Sequence, residues 1–173
     1  AIGDGCVFFG LQAAVNDPDN NALMAQTVAR VDLATGAATI LTGSAPVAGR
    51  FSRISTSQCK AVWIWWNAQY ANESSDSATM DLHYYNGTSL STIDSGTGLG
   101  RPVIAQGRIF YTKKDAGGIA QVFMYDTTAP SPSVVQLTSY SSGSIWAVVS
   151  DGRFVVWDRG TPKGNSRHLY FYP

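Results

Sequence analysis

The sequence predicts an all-β chain with a β-propeller-like architecture, about three and a half four-stranded antiparallel blades with incomplete terminal blades. Three observations carry that expectation. A short turn leading into an aromatic-rich strand returns four times, as Gly5-Cys6-Val7-Phe8-Phe9, Cys59-Lys60-Ala61-Val62-Trp63, Gly107-Arg108-Ile109-Phe110-Tyr111 and Gly152-Arg153-Phe154-Val155-Val156. The copies begin at residues 5, 59, 107 and 152, hence 54, 48 and 45 residues apart, the period of a propeller blade rather than of a helical repeat. A later strand in each copy ends on an apolar residue followed by a turn former, at Val31-Asp32, Tyr85-Asn86, Tyr125-Asp126 and Tyr172-Pro173, where Asp and Asn satisfy their own backbone and tolerate unusual dihedrals. Glu occurs once, at Glu73, against a surplus of strand formers and of Ser, Thr, Gly and Asn, so helices have little support.

The 173 residues read as a single domain, 1–173, with repeats at approximately 1–49, 50–100, 101–144 and 145–173. The third copy is the clearest template. Arg101 to Ala105 forms a short strand, Gln106-Gly107 a turn, and Ile109 to Thr112, Gln121 to Tyr125 and Val134 to Thr138 three further strands, each a run of β-branched or aromatic residues bounded by turn formers. The fourth-strand column is filled by Thr39 to Thr42 in the first copy and Leu90 to Ile93 in the second. Ala1 to Asp4 leave little room for an innermost strand, and the last copy stops before its fourth strand. The expected strand counts are therefore three, four, four and three. Polar insertions at Asn16 to Asn21 and Ala68 to Ser77 read as loops between strands two and three, and Ala129-Pro130-Ser131-Pro132-Ser133 as a rigid hairpin connection rather than a linker.

Charge excludes several partners. Twelve Lys and Arg balance twelve Asp and Glu, and 14% of residues are charged, so there is no electrostatic footprint for nucleic acid or for an anionic membrane. No stretch approaches the roughly 18 apolar residues of a membrane span, and the chain reads as soluble, without membrane insertion. The start at Ala1, with no Met and no leader, fits a processed mature terminus and fits an internal fragment equally well. Asn72-Glu73-Ser74 and Asn86-Gly87-Thr88 match the N-glycosylation pattern, and the chain reads as secreted or extracellular, periplasmic in a bacterial source. Cys6 and Cys59 occupy neighbouring columns of the first two repeats, so a disulfide clamping one blade to the next is geometrically open, with two buried free thiols as the alternative. A bridge there would close a loop of roughly 50 residues and stabilise by ~3 to 4 kcal/mol.

Little in the chain resembles catalytic machinery. No Gly-x-Ser-x-Gly elbow occurs, and no catalytic residue is assigned. His83 alternates with Leu82 and Tyr84 inside a strand, which reads as packing, and His168 beside Arg167 reads as exposed at an edge. An enzyme would need His83 and a nearby Asp in a cleft. Asn16-Asp17-Pro18-Asp19-Asn20-Asn21 lacks the spacing and bidentate Glu of a calcium loop. Gly96-Thr97-Gly98-Leu99-Gly100 is not a dinucleotide fingerprint. No metal and no cofactor is expected. Aromatics are the one surplus: Trp65, Trp66 and Tyr70 are candidates for stacking on sugars, against a packing role for large rings between blades.

The segment Trp146 to Trp157, followed by Leu169-Tyr170-Phe171-Tyr172, resembles the repeat of TolB-like and WD40-like β-propellers. In that family a Ser-Pro-Asp-Gly turn feeds the second strand, and the third ends in an Asp before a Leu-Thr pair. Here Ser150-Asp151-Gly152 lacks the Pro, while Tyr125-Asp126 and Leu137-Thr138 keep the rest. The resemblance covers nearly the whole chain at repeat level and implies the fold. Such propellers serve as protein-binding scaffolds, periplasmic adaptors, lectins and accessory domains of peptidases and lyases, so it does not imply one chemistry. The leading expectation is a secreted non-enzymatic module for interaction or self-assembly into a ring or filament. Its open edge is Leu169, Tyr170, Phe171 and Tyr172, and its partners are other copies or the remainder of a larger propeller. The alternatives are a lectin-like propeller that binds glycans through loop aromatics, and the propeller portion of a hydrolase or lyase.

Overall fold

The structure, a computed structural model, describes residues 2–3, 5–15, 23–41, 47–48, 50–51, 54–66, 79–161 and 164–171. Every described element is a strand, paired antiparallel into four sheets. Blade one runs from β1 (Ile2–Gly3) through β2 (Cys6–Val15) to β3 (Leu23–Asp32), with β4 (Ala38–Ile40) and β5 (Val47–Ala48) both pairing with β3. Blade two places β6 (Arg50–Phe51) and β7 (Ser55–Ser57) on β8 (Lys60–Trp66), followed by β9 (Met80–Tyr85) and β10 (Leu90–Gly96). Blade three is β11 (Gly100–Ala105), β12 (Arg108–Lys114), β13 (Ala120–Asp126) and β14 (Val134–Gln136). Blade four is β15 (Ser144–Ser150), β16 (Phe154–Thr161) and β17 (Gly164–Phe171).

Blade one thus holds an innermost strand that the sequence reading left out. It is only two residues long, with Ile2 opposite Val7 and Gly3 opposite Cys6.

Because blades pack face to face, strands in the middle blades are apolar on both sides, which is why β8 reads as a near-continuous hydrophobic run instead of alternating. Its odd and even residues serve different seams. Ala61, Trp63 and Tyr85 pack on Cys6, Phe8 and Val28 of blade one. Val62, Ile64, Met80, Leu82 and Tyr84 meet Leu99, Ile104, Ile109, Tyr111 and Phe123 of blade three. Phe110, Val122 and Met124 continue the pattern onto Ile145, Val148, Val155 and Trp157 of blade four. Full burial of one such side chain contributes about 1.5–3 kcal/mol, so the three seams hold the blades in order.

Cys6 and Cys59 form a disulfide across the first seam, with Cα atoms 5.3 Å apart and 53 residues between them in sequence. Arg30 Nε donates to Cys6 Sγ at 3.2 Å.

The pairing register confirms three of the four repeat columns. Val7 faces Val31, Ala61 faces Tyr85 and Ile109 faces Tyr125. Blade four departs from the sequence alignment. Val155, not Phe154, faces the third strand's tyrosine, and that tyrosine is Tyr170, not Tyr172. The cause is the turn. Blades two and three use two-residue turns, Gln58-Cys59 and Gln106-Gly107, with all four residues at positive φ, the hairpin geometry that matches strand twist. In blade four Ser150 pairs with Val155, leaving residues 151–154 in the turn. There Asp151 Oδ1 accepts from the amides of Arg153 and Phe154 at 2.8 Å each, and Gly152 sits at φ 95°. A one-residue slip turns every side chain to the opposite face. Val155 and Trp157 are therefore inside, while Phe154 is 36% exposed.

Candidate interaction site

Among the described residues, blade four has an edge without a paired neighbour and a face without a packed one. In blades one to three the third strand is covered by an outer strand, whereas the order β15-β16-β17 ends at β17, and among the described residues nothing pairs beyond it. Residues 169–171 of the expected edge lie in the last turn-ward part of β17, with Leu169 opposite Val156, Tyr170 opposite Val155 and Phe171 opposite Phe154. Tyr172 lies outside the described residues. An eight-residue strand with one unpaired side presents a row of backbone donors and acceptors to any extended chain.

The open face is the one that turns away from blade three. Val149 is 57% exposed and faces half-buried Val156. Asp158 and Arg167, directly opposite across β16 and β17, form an ion pair at 2.7 Å. The same column holds Ile64 with Leu82 in blade two and Thr112 with Val122 in blade three. The ion pair therefore replaces core residues. The guanidinium of Arg167 holds the Asp158 carboxyl below the usual carboxylate range. Two shallow concavities flank it, one of about 380 Å³ lined by Asp158, Asn165, Ser166 and Arg167, and one of about 310 Å³ lined by Val149, Val156, Trp157, Asp158 and Arg167. Sequence reasoning missed this pair. The signal was a charged residue in a column that is otherwise uncharged, and the misaligned turn hid it.

The opposite face is bolted to blade three. Trp157 Nε1 donates to Tyr140 Oη at 3.0 Å, and His168 stacks on the Trp157 ring at 5.8 Å between centroids. The Arg159 guanidinium lies 3.9 Å over the Tyr140 ring, and its Nη2 donates to the Ser142 carbonyl at 2.8 Å. His168 was expected at an exposed edge; it is half-buried in this stack because the shifted register turns it toward Trp157.

The other candidates are packed or lie elsewhere. Trp65 is 5% exposed, and Trp66 is half-buried against the core between blades two and three. The low exposure of Trp65 fits the packing role between blades that the sequence offered beside sugar stacking. Tyr70 and Asn72 lie outside the described residues, as do the insertions at 16–21 and 68–77. Asn86 is exposed, and its Oδ1 accepts from the amides of Thr88 and Ser89 at 2.9 Å each. His83 packs on Trp63 with ring centroids 5.8 Å apart, and its Nδ1 lies 3.2 Å from Thr92 Oγ1. Burial pushes its pKa down, opposed by Asp81. At the seam of blades two and three, Asp94 accepts from Tyr111 Oη and Lys113 Nζ, each at 2.6 Å. No group of three or more His, Cys, Asp or Glu side chains that could hold a metal occurs among the described residues. Among these residues no helix is long and apolar enough to cross a membrane.

These sheets and seams define a β-propeller fold. TolB from Acinetobacter baumannii superposes with a TM-score of 0.56 at 12% identity, over 94% of this chain and 39% of that one. The tricorn protease follows with a TM-score of 0.49 at 13% identity, over 95% of this chain and 20% of that one. A nidogen/laminin complex gives 0.45 at 13% identity, over 96% of this chain and 62% of that one. The chain thus spans less than two thirds of each of these three structures, and the likeness is one of fold. No family model matches the sequence, and no curated protein matches it either.

Proposed function

We propose that this chain is a secreted, non-enzymatic β-propeller module that works by interaction, its open blade accepting a strand from another copy or from the remainder of a larger propeller. The observation that carries the reading is the third strand of blade four, which among the described residues has no outer neighbour like those of the other three blades. An incoming strand gains backbone hydrogen bonds along β17, and residues next to the edge select its side chains. The Cys6–Cys59 disulfide supports an oxidising compartment, extracellular or periplasmic. The exposed Asn86 sequon supports use as a glycan acceptor where the host glycosylates. The test combines light-scattering mass over a concentration series with amide exchange of β17. Protection of alternate β17 amides as mass grows is the expected result. A chain that associates while those amides exchange freely would remove the edge reading.

A further inference from the structure

The first and third seams tie a blade's second strand to the entry turn of the next blade by different chemistry. At the third seam Arg108, paired with Asp126, donates from Nη1 to the Gly152 carbonyl in the turn that enters β16, at 2.8 Å. Cys6 holds the same register position in blade one, opposite Asp32 as Arg108 is opposite Asp126. Its link to the turn that enters β8 is the disulfide to Cys59. A guanidinium is present here too, but it comes from Arg30, opposite Phe8 on β3, where blades two and three place the core residues Tyr84 and Met124. Arg30 Nη2 lies 3.3 Å from Asp32 Oδ2, and Nε donates to Cys6 Sγ at 3.2 Å. Neutral sulfur is a weak acceptor, so this cation contributes little while the bridge is closed. It matters once the sulfur becomes an anion.

We infer that the bridge is a thiol-exchange site, in which Cys59 is the sulfur attacked, Cys6 the sulfur that leaves and Arg30 the group that receives the leaving charge. Burial sets the direction. Cys6 is fully buried, whereas Cys59 is half-buried in a turn whose other residue, Gln58, is exposed. The partner is a dithiol reductant. One of its thiolates attacks Cys59 Sγ and forms a mixed disulfide, while the Cys6–Cys59 bond breaks and its electron pair leaves on Cys6 Sγ, beside the guanidinium. The partner's second thiolate then attacks its own sulfur in the mixed disulfide and expels Cys59 as a thiolate, which takes a proton from water. Two electrons pass to the bridge, and the partner departs as a disulfide. A neighbouring Arg lowers a thiol's pKa, and a thiol of lower pKa leaves faster. Asp32 shares the charge of Arg30, yet it also fixes the guanidinium in place, since its Oδ1 is held by the amides of Ala34 and Thr35 at 3.0 Å each. The site lies wholly in the first seam, so it does not depend on the unpaired edge of blade four.

The test treats the folded, oxidised chain with an excess of reduced glutathione, quenches in acid, alkylates free thiols and locates the mixed disulfide by peptide mass spectrometry. Glutathione has no second thiol, so the first step is the one trapped. The expected result is glutathione on Cys59 and an alkylated Cys6. Glutathione on Cys6, or equally on both, would overturn the inference. In parallel, the rate of reduction by dithiothreitol is measured for the wild type and for Arg30→Gln. Loss of the guanidinium is expected to slow reduction at least about threefold, because the leaving thiolate loses its counter-charge. A weakened fold would act in the opposite sense by exposing the bridge, so the sign separates the two roles. An Arg30→Gln chain reduced as fast as the wild type, or faster, would remove Arg30 from the site. Wild-type reduction that rises with sub-denaturing urea as steeply as unfolding does would show that only the unfolded chain is attacked, and would overturn the inference whether or not the variant folds.

Discussion

Cys59 sits at φ 55° in the turn that enters β8, at the place where blade three puts Gly107 at φ 77°, and from there it reaches Cys6 of blade one. A non-glycine residue in the left-handed region costs roughly 1–2 kcal/mol, whereas closing a loop of this length by a bridge stabilises by about 4 kcal/mol. The cross-link therefore outweighs the strain of the turn. Once the bridge is gone, only the strain remains. A Cys6→Ser, Cys59→Gly pair of substitutions is expected to be more stable than Cys6→Ser, Cys59→Ser by about 1 kcal/mol, with both well below the wild type. Urea midpoints under identical conditions check this, and equal midpoints for the two double variants would show that the turn carries no strain.

Acid sensitivity follows from the Asx turns. Asp151 is held below the usual carboxylate value by the Phe154 and Arg153 amides, and Asp32 by those of Thr35 and Ala34. Asp115 is lowered first by Gln121, then by the Ile119 amide. A depressed folded-state pKa means the contribution is present above the unfolded value, near 3.8, and is lost as pH falls through the lower folded value. Stability is expected to be flat from neutral pH down to about 5 and to fall below about 4. Asp151→Asn keeps an acceptor in the turn but removes the titration, so its acid limb should be shallower. An unchanged slope for that variant would mean the turn is not proton-linked.

Tyr111 and Lys113 converge on Asp94 across the seam of blades two and three. Burial, then the bond to Asp94, pushes the Tyr111 phenol far above its ordinary range. Tyr111→Phe keeps the stacking on Phe123 at 5.7 Å but removes a hydrogen bond to a charged group, a loss of about 1.5–3 kcal/mol. Asp94→Asn leaves Lys113 without its counter-charge and is expected to cost at least as much. Chemical denaturation of both variants measures the order, and a neutral Tyr111→Phe would show that the carboxylate is satisfied by solvent instead.

Much of this architecture was legible because repetition is a strong signal. Val31-Asp32, Tyr85-Asn86 and Tyr125-Asp126 fall in one column in the sequence and in one register position in the sheets. The fourth copy misled because Gly152-Arg153 looks like Gly107-Arg108, yet a carboxylate at Asp151 closes a longer turn there than the two-residue hairpin of blade three. Turn length is set by a few local hydrogen bonds, and period-two strands convert that one-residue error into an inverted face. The Asp158–Arg167 pair was hidden by the same slip, since its two members become neighbours only in the true register. Ile2–Gly3 was missed because two residues carry too little pattern to mark a strand.

The tryptophans separate a ligand-binding propeller from a packed one. Trp63 is fully buried, Trp65 is 5% exposed and Trp66 packs on the core of the next seam, a burial that fits packing between blades. Truncating a buried Trp costs about 3–5 kcal/mol. Trp65→Ala is therefore expected to lower stability by an amount in that range, and Trp66→Ala by less because that residue is only half-buried. Thermal melts and intrinsic fluorescence report both changes. If Trp65→Ala instead melts like the wild type while abolishing binding to a glycan array, the ring faces solvent after all and the packing assignment of β8 is wrong. A large loss of stability with no effect on any glycan other than through unfolding fixes the Trp65 side of β8 as a blade seam.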